Sequence, residues 1–155
     1  MGCSNRKSAA SVAEIKVKTL DATSLEQMIH ASQKPYHLVN FYATYCKPCI
    51  KEIPELIALK DAENSDIEVS FVSLDDADVV NKQLQAFLQE QNMDFASYSF
   101  PQDSATAYIL KHFPEWNQQI PLSFVFDKSG KLISHLGMTD KAEIEVIITE
   151  DKNFR

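Results

Sequence analysis

Two cysteines separated by two residues are the clearest sign of chemistry in this sequence. Cys46 and Cys49 follow an apolar, strand-like run at residues 37–43 and precede a helix-like run at residues 50–59. At the start of a helix they are one turn apart and can form a disulfide with little backbone movement. The helix dipole favours a thiolate on the first sulfur. The pattern predicts a redox pair, with Cys46 as the exposed nucleophile and Cys49 as the buried, resolving thiol.

The residues around the pair are open to more than one interpretation. Pro48 lacks an N–H that a residue in the first helical turn does not use, so it stiffens the loop at little cost. Lys47 is either a plain surface lysine or a cation that favours the thiolate and biases substrate choice. Trp116, the only tryptophan, either lines a substrate groove or caps the core.

Length and composition predict one globular domain with a buried core. The chain has 155 residues, of which 45% are apolar. Its 15 basic and 22 acidic side chains leave a net charge of −7, which argues against nucleic acid as a partner, because phosphate binding needs a basic surface. No run reaches the roughly 18 apolar residues that a membrane-spanning helix requires. We expect a monomer that binds no nucleic acid.

The N-terminal segment, residues 1–13, has the composition of a flexible tether to a domain at residues 14–155. Gly2 before Cys3 resembles the cleavage site of a bacterial lipoprotein, whose cysteine carries the lipid, although no apolar signal segment stands before it here. Myristoylation of the N-terminal glycine fits less well, because it needs Ser or Thr where Arg6 stands. Alternatively, Cys3 is an unimportant residue of the tail.

Hydrophobic periodicity predicts alternating strands and helices. Strands are predicted at residues 14–20, 37–43, 67–74, 96–100, 122–126 and 131–136. Helices are predicted at residues 24–32, 50–59, 79–91, 105–112 and 142–149. The first has a capping box that starts at Thr23, and the third is capped by the aspartates of the segment at residues 75–78. This order predicts an α/β fold with a central mixed sheet, parallel in its early part and closed by an antiparallel hairpin, with helices on both faces.

Two motifs together resemble those of a known superfamily. The segment at residues 41–56 contains the cysteine pair and, five residues after the second cysteine, Pro54. Ile120 and Pro121 directly precede the predicted strand–turn–strand unit. The combination resembles the thioredoxin-like proteins, and in particular the TlpA/ResA-type thiol–disulfide oxidoreductases of bacterial envelopes, over roughly residues 14–150.

The resemblance implies a thioredoxin-like fold with an N-terminal strand and an extra strand–helix insertion before Pro121. It implies a thiol–disulfide oxidoreductase that acts on protein substrates, more as a reductase than as an oxidant, without a cofactor or a metal. It further implies a protein of the cell envelope that faces the periplasm and carries a lipid anchor on Cys3. A membrane electron donor would keep such a protein reduced, and cytochrome c maturation is a typical role.

The resemblance also assigns roles to particular residues. Pro121 would form a cis peptide bond that places the backbone of Ile120 beside the sulfurs. Tyr42 and Tyr45 would form an aromatic wall beside them, and Tyr45, Lys47 and Pro48 would support the substrate groove. Plain thioredoxins bury an aspartate where this chain has Asn40, so proton transfer would fall to another carboxylate or to water. Glu52 is a candidate, although a glutamate on a helix is more often solvated.

Two other functions fit parts of the pattern and are retained as alternatives. A peroxiredoxin-like thiol peroxidase would have a threonine three residues before its catalytic cysteine, where this chain has Ala43. A copper chaperone of the Sco kind would use two cysteines and a distant histidine, for which His135 is the candidate. The cysteines of such chaperones are separated by three residues, whereas two separate them here.

Overall fold

The computed structural model of the protein describes residues 13–155. Cys3 and residues 1–12 of the predicted tether lie outside the described residues, so the tether and the lipid on Cys3 stay predictions. Within residues 13–155, no helix combines the length and the apolar composition that crossing a membrane requires.

Six strands and six helices make up this part of the chain. The strands are β1 (Val17–Thr19), β2 (Tyr36–Tyr42), β3 (Ile67–Ser73), β4 (Ser97–Ser99), β5 (Leu122–Asp127) and β6 (Leu132–Leu136). The helices are α1 (Ala22–His30), α2 (Lys47–Asp61), α3 (Ala77–Lys82), α4 (Leu84–Glu90), α5 (Gln102–His112) and α6 (Lys141–Asn153).

All six strands form one mixed sheet in the order β1-β4-β3-β2-β5-β6. The contacts β1–β4, β4–β3 and β3–β2 are parallel, whereas β5 runs antiparallel to β2 and pairs with β6 as an antiparallel hairpin. The predicted α/β fold and the predicted change from parallel to antiparallel pairing are therefore confirmed. The extra strand of the insertion, β4, lies between β3 and the N-terminal strand β1.

Strand β2 lies at the centre of the sheet, and all seven of its residues are buried. Because successive side chains of a strand point to opposite faces, β2 contributes to two separate cores. Leu38 packs in the core that contains Ile53 of α2, whereas Val39 packs in the core that contains Ile109 of α5. By the same alternation, Asn40 faces α2. The strand therefore brings one polar side chain to the inner face of the helix that carries the cysteines.

Residues 79–91, predicted as one helix, instead form α3 and α4, which meet at Gln83. Gln83 leaves helical geometry, with φ −121° and ψ −23°. No residue of α3 is fully buried, whereas α4 buries Leu84, Phe87 and Leu88. Because the helix is interrupted at Gln83, the apolar side chains of α4 can pack in the core while α3 stays near the surface.

The first helix begins at Ala22, so the capping box predicted at Thr23 was wrong in position. Asp21 Oδ1 accepts the backbone N–H of Ser24 at 2.7 Å, and Ser24 Oγ accepts the backbone N–H of Asp21 at 2.9 Å. An aspartate followed three residues later by a serine thus forms the same reciprocal cap as the predicted pattern.

The turn between β5 and β6 contains a glycine whose backbone conformation would be strained for any other residue. Gly130 has a φ of +81°, and a Cβ at this position would overlap the imidazole ring of His30 in α1. We expect Gly130→Ala to lower the free energy of unfolding in urea by about 1–3 kcal/mol, because an L side chain is strained at this φ and the ring must move. Gly137→Ala is the matched control, since a Cβ there meets nothing within 4 Å. Equal losses in the two variants would contradict this account.

Candidate active site

The cysteine pair lies where the central strand passes into α2. Cys46 is the N-cap residue of α2, and its sulfur accepts a hydrogen bond from the backbone N–H of Cys49 at 3.3 Å. The two sulfurs form a disulfide, with Cα atoms 5.2 Å apart. The positive end of the helix dipole therefore acts on Cys46. This arrangement favours a thiolate at Cys46 once the disulfide is reduced.

The two sulfurs differ in access, but less than the sequence suggested. Cys49 is fully buried, and 7% of Cys46 is exposed. Cys46 is thus the more accessible of the two, although the prediction of an exposed residue was wrong. The carbonyl oxygen of Ile120 lies 3.7 Å from Cys46 Sγ and covers part of it. An incoming sulfur can therefore reach Cys46 but not Cys49.

A cis peptide bond joins Ile120 to Pro121, as the resemblance implied. In the disulfide form Cys46 carries no S–H, so the approach of its sulfur to the Ile120 carbonyl is a contact. In the reduced form the thiol has a hydrogen that it can donate to this carbonyl. The main chain of Ile120 thus lies beside the reacting sulfur, and its pairing with a substrate strand stays a prediction.

Trp116 anchors the loop that leads to this peptide bond. Its indole Nε1–H donates to the Gln119 carbonyl at 2.8 Å, and the Gln119 backbone N–H donates to Asn117 Oδ1 at 3.2 Å. Between them, Gln118 adopts a left-handed conformation with φ 66°. Both hydrogen bonds span Gln118 and hold it in this conformation, so they define the path of the chain into Ile120.

A groove of about 710 Å³ extends from the cysteine loop along this segment. Apolar side chains form much of its lining, among them Pro48, Trp116, Ile120, Pro121, Leu136 and Met138. Both interpretations of Trp116 therefore apply, because the residue lines the groove and only 8% of it is exposed.

Of the two tyrosines predicted to form the aromatic wall, Tyr45 is the exposed one. This side chain is 75% exposed, whereas Tyr42, three residues earlier, is buried and stacks on Phe87 with ring centroids 5.7 Å apart. Lys47 is exposed as well. Tyr45 and Lys47 project from the loop beside the cysteines, so any contribution they make depends on the substrate surface that approaches them.

Of the acidic cluster predicted to cap the next helix, Asp76 is the N-cap residue of α3 without a side-chain cap bond, and Asp78 lies in its first turn. Asp75 instead supports the loop before the cysteines. It is buried and accepts hydrogen bonds from the backbone N–H of Thr44 at 3.0 Å and from the Thr44 hydroxyl at 2.9 Å. The hydroxyl of Ser73 donates to the same carboxylate at 2.6 Å. Asp75 therefore ties the end of β3 to the segment between β2 and Cys46.

Glu52 is the functional residue whose environment the sequence predicted least well. It is only 1% exposed, so the expectation of a solvated side chain was wrong. Asn40 Nδ2 donates to its Oε1 at 2.7 Å, and the backbone N–H of Thr139 donates to its Oε2 at 2.9 Å. Burial raises the pKa of Glu52 from 4.5 to about 7, and these two hydrogen bonds oppose the rise. A buried carboxyl that titrates near neutrality can exchange protons at ambient pH.

The position of Glu52 relative to the cysteines follows from the geometry of α2. Residues three apart on a helix lie on the same side, and Cys49 and Glu52 are both fully enclosed. The same face thus carries the resolving sulfur and the buried acid. The spacing of three residues after Cys49 is the sequence signal that identifies Glu52.

The other polar candidates form no metal site among the described residues. Within residues 13–155, no group of three or more His, Cys, Asp or Glu side chains could hold a metal ion. His135 stacks on Phe113, with ring centroids 3.8 Å apart. The described residues thus provide no third ligand that would support the copper-chaperone alternative.

Comparisons with known proteins agree with this geometry. The sequence model described as the AhpC/TSA family matches residues 9–147. The thioredoxin-like protein YneN of Bacillus subtilis is 27% identical over 109 residues, which are 70% of this chain and 60% of that protein. The chain therefore spans about 60% of the length of this curated relative.

Solved structures show the same fold at low sequence identity. A thiol:disulfide interchange protein of the thioredoxin family from Chlorobium tepidum superposes with a TM-score of 0.63 at 18% identity, over 91% of this chain and 98% of that one. StoA from Bacillus subtilis superposes with a TM-score of 0.55 at 19% identity, over 76% and 85% of the two chains. The fold is thioredoxin-like, as predicted.

The buried carboxyl makes the stability of the oxidised protein depend on pH. Glu52 is protonated in the folded and unfolded states below about pH 4.5, and it must carry a buried charge above about pH 7. Its contribution to stability is therefore complete at low pH and is lost as the pH rises through about 7, a change of about 3 kcal/mol. Urea unfolding at pH 4 and pH 8 should show this loss in the wild type relative to Glu52→Gln. Parallel pH profiles for the two proteins would contradict the assignment.

Proposed function

The chain belongs to the AhpC/TSA family, and on that premise we propose that it is a thiol–disulfide oxidoreductase that acts on protein substrates. The observation that carries the proposal is the Cys46–Cys49 disulfide at the N-terminus of α2, with the carbonyl of Ile120 beside the accessible sulfur. A disulfide in this position has one sulfur open to exchange and one enclosed. These are the two environments that a resolving mechanism needs.

The reductive half of the cycle begins with the reduced pair. The Cys46 thiolate attacks one sulfur of a substrate disulfide, so that a mixed disulfide forms and the other substrate sulfur leaves as a thiolate, which takes a proton from water. Cys49, deprotonated, then attacks Cys46 and releases the second substrate sulfur. The substrate gains two electrons, and the protein ends as the Cys46–Cys49 disulfide of this structure.

Glu52 is the group that accepts the proton of Cys49 in this scheme. Cys49 must lose its proton before it can attack, and its sulfur is enclosed in the core. Glu52 lies one helical turn further along, with a pKa of about 7. At neutral pH a carboxyl of this kind is present in both protonation states, which is the condition for efficient acid–base catalysis.

The groove from Pro48 to Met138 is the proposed site for the protein substrate. Its apolar lining suits a substrate segment with apolar side chains next to the disulfide. The carbonyl of Ile120 offers a main-chain acceptor at the end of the groove nearest to Cys46. Tyr45 and Lys47, which flank Cys46 along the chain and are exposed, are available for further contacts with the substrate.

Neither alternative function is favoured. A peroxidase would use one cysteine in a Thr-x-x-Cys setting, whereas Ala43 replaces the threonine and Cys46 is paired with a cysteine on its own helix. A copper site of this kind would need a histidine near the pair, and residues 13–155 contain no group of three or more His, Cys, Asp or Glu side chains that could hold a metal ion. The residues around the cysteine pair therefore favour dithiol–disulfide exchange over a peroxidase or a copper site.

The proposal extends to the direction of exchange and to the location of the protein. We place it in the bacterial cell envelope as a monomeric reductase, anchored by a lipid on Cys3, reduced by a membrane thiol donor and active in a process such as cytochrome c maturation. The resemblance to TlpA/ResA-type proteins supports this placement, as does the polar composition of residues 1–13.

The activity can be tested by reduction of insulin with dithiothreitol. We expect Cys46→Ser to lower the rate to that of dithiothreitol alone, because no thiolate remains that a disulfide can reach. Cys49→Ser should retain the first attack and accumulate a mixed disulfide that non-reducing electrophoresis detects. Cys3→Ser serves as the matched cysteine control and should keep the wild-type rate. A wild-type rate in Cys46→Ser would disprove the proposal.

Location and direction can be tested together in bacteria that express the natural gene. Acid quenching, alkylation of free thiols and cell fractionation should find the protein in the membrane fraction with Cys46 and Cys49 mostly reduced, because a membrane donor supplies electrons. Cys3→Ser should move it to the periplasmic fraction. A cytoplasmic protein, or an oxidised pair, would contradict the envelope reductase.

A further inference from the structure

The carboxamide of Asn40 joins two groups in the interior of the protein. Asn40 is completely buried on β2, and its Nδ2 donates to Glu52 Oε1 at 2.7 Å and to Ser123 Oγ at 3.0 Å. Its own Oδ1 is buried as well and has no hydrogen-bond partner among the described residues. Asn40 thus uses both hydrogens of its amide and leaves its oxygen unused.

This arrangement offers donors to both carboxyl oxygens of Glu52 and no acceptor to a proton on it. In the carboxylate form, Oε1 and Oε2 each accept one N–H, from Asn40 and from the Thr139 main chain. The main-chain N–H of Thr139 can only donate, whereas the Asn40 carboxamide carries both a donor and an acceptor, so Oε1 is the oxygen on which an added proton can gain an acceptor. A proton on Oε1 that pointed towards Asn40 in its present orientation would face the N–H, and two donors would oppose each other across a short contact.

Rotation of the Asn40 carboxamide by half a turn removes this conflict. The rotation exchanges the positions of Oδ1 and Nδ2, so that Oδ1 accepts the new O–H of Glu52. The Ser123 hydroxyl both donates and accepts, so it can donate to the same oxygen. In either orientation one end of the amide has no hydrogen-bond partner in the protein. The free-energy cost of a buried polar group without a partner is therefore present in both states.

We propose that Asn40 is a positioning residue whose carboxamide turns over when Glu52 gains or loses its proton, while Ser123 changes from acceptor to donor. The device gives the buried carboxyl a hydrogen-bond partner in both of its states. It explains why a residue with a donor and an acceptor of nearly equal size stands at this position. An aspartate at position 40 would instead place a second carboxyl against the first.

The surroundings of Glu52 contain few other groups that could drive such a change. Asn40 contacts it from β2, with Ser123 of β5 behind the amide, and Thr139 contacts it from the segment before α6. On its own helix, Cys49 is the titratable group that becomes available on reduction. The nearest charged group in the hydrogen-bond network is Glu143, which accepts from the Thr139 hydroxyl at 2.5 Å.

The consequence for exchange rests on the proposed function, in which Glu52 takes the proton of Cys49. If Glu52 had a hydrogen-bond partner in only one protonation state, that state would be stabilised over the other, and proton transfer from Cys49 would be slower. The turning amide lets Glu52 pass between its two states without a buried, opposed pair of donors.

The orientation of the amide can be observed directly in the oxidised wild type. Neutron diffraction from deuterated crystals at pH 5 and pH 9 distinguishes nitrogen from oxygen and locates the proton of Glu52. We expect Nδ2 towards Glu52 at pH 9 and Oδ1 towards a protonated Oε1 at pH 5. One orientation at both values, or a Glu52 that does not change its protonation, would overturn the proposal. This measurement needs no turnover, so its outcome is independent of whether the protein is an oxidoreductase.

A double-mutant cycle tests the effect on exchange. The rate at which Cys49 resolves a preformed mixed disulfide between Cys46 and glutathione is measured across pH 5–9 in the wild type, Asn40→Leu, Glu52→Gln and the double variant. With Glu52 present, we expect Asn40→Leu to slow resolution about tenfold or more and to move its pH profile, because the carboxyl loses its partner. In the Glu52→Gln background, where no proton is gained or lost at this position, Asn40→Leu should change the rate less than about twofold.

Equal effects of Asn40→Leu in the two backgrounds would show a merely structural role and overturn the proposal. Because the cycle follows a step within this chain after the mixed disulfide has formed, a failure of substrate turnover would count against the proposed function and not against the role of Asn40.

Discussion

The hydrogen bond from the Cys49 backbone N–H to the sulfur of Cys46 is the interaction on which the rest of the site depends. It makes the sulfur the N-cap of α2, a position that serine, threonine, asparagine or aspartate usually fills. A group that caps a helix must lie close to free N–H groups, and these same groups favour negative charge. The helix start therefore combines a structural role with the chemistry of a thiolate.

The cap needs support on both sides, and two separate loops provide it. Asp75 holds Thr44 by main-chain and side-chain hydrogen bonds before the first cysteine. On the other side, Trp116 binds the Gln119 carbonyl and so shapes the loop that brings Ile120 to the sulfur. Each support comes from an element other than α2, so the geometry of the pair depends on the packing of the sheet as a whole.

A buried polar cluster under the cysteines is the unusual feature of this core. Placing Glu52 and Asn40 between the central strand and α2 carries a desolvation cost that two apolar side chains would avoid. The cost is reduced because both carboxyl oxygens have donors in the charged state. Functional sites are where proteins retain such groups, since a carboxyl that titrates near neutrality cannot be made at an exposed position.

Local patterns in the sequence determined the fold class, the cysteine pair at a helix start, and the motif at Ile120 and Pro121, because each of these depends on neighbours within a few residues. Glu52 could not be placed by such patterns, since its burial depends on Asn40 from β2 and on Thr139 from a segment 87 residues away. The role of Asp75 likewise required the pairing of β2 with β3, which brings Thr44 within reach across 31 residues. Spacing along the chain thus identified the reactive sulfurs, whereas only the tertiary structure decided which polar groups would be enclosed with them, because burial is set by contacts between distant elements.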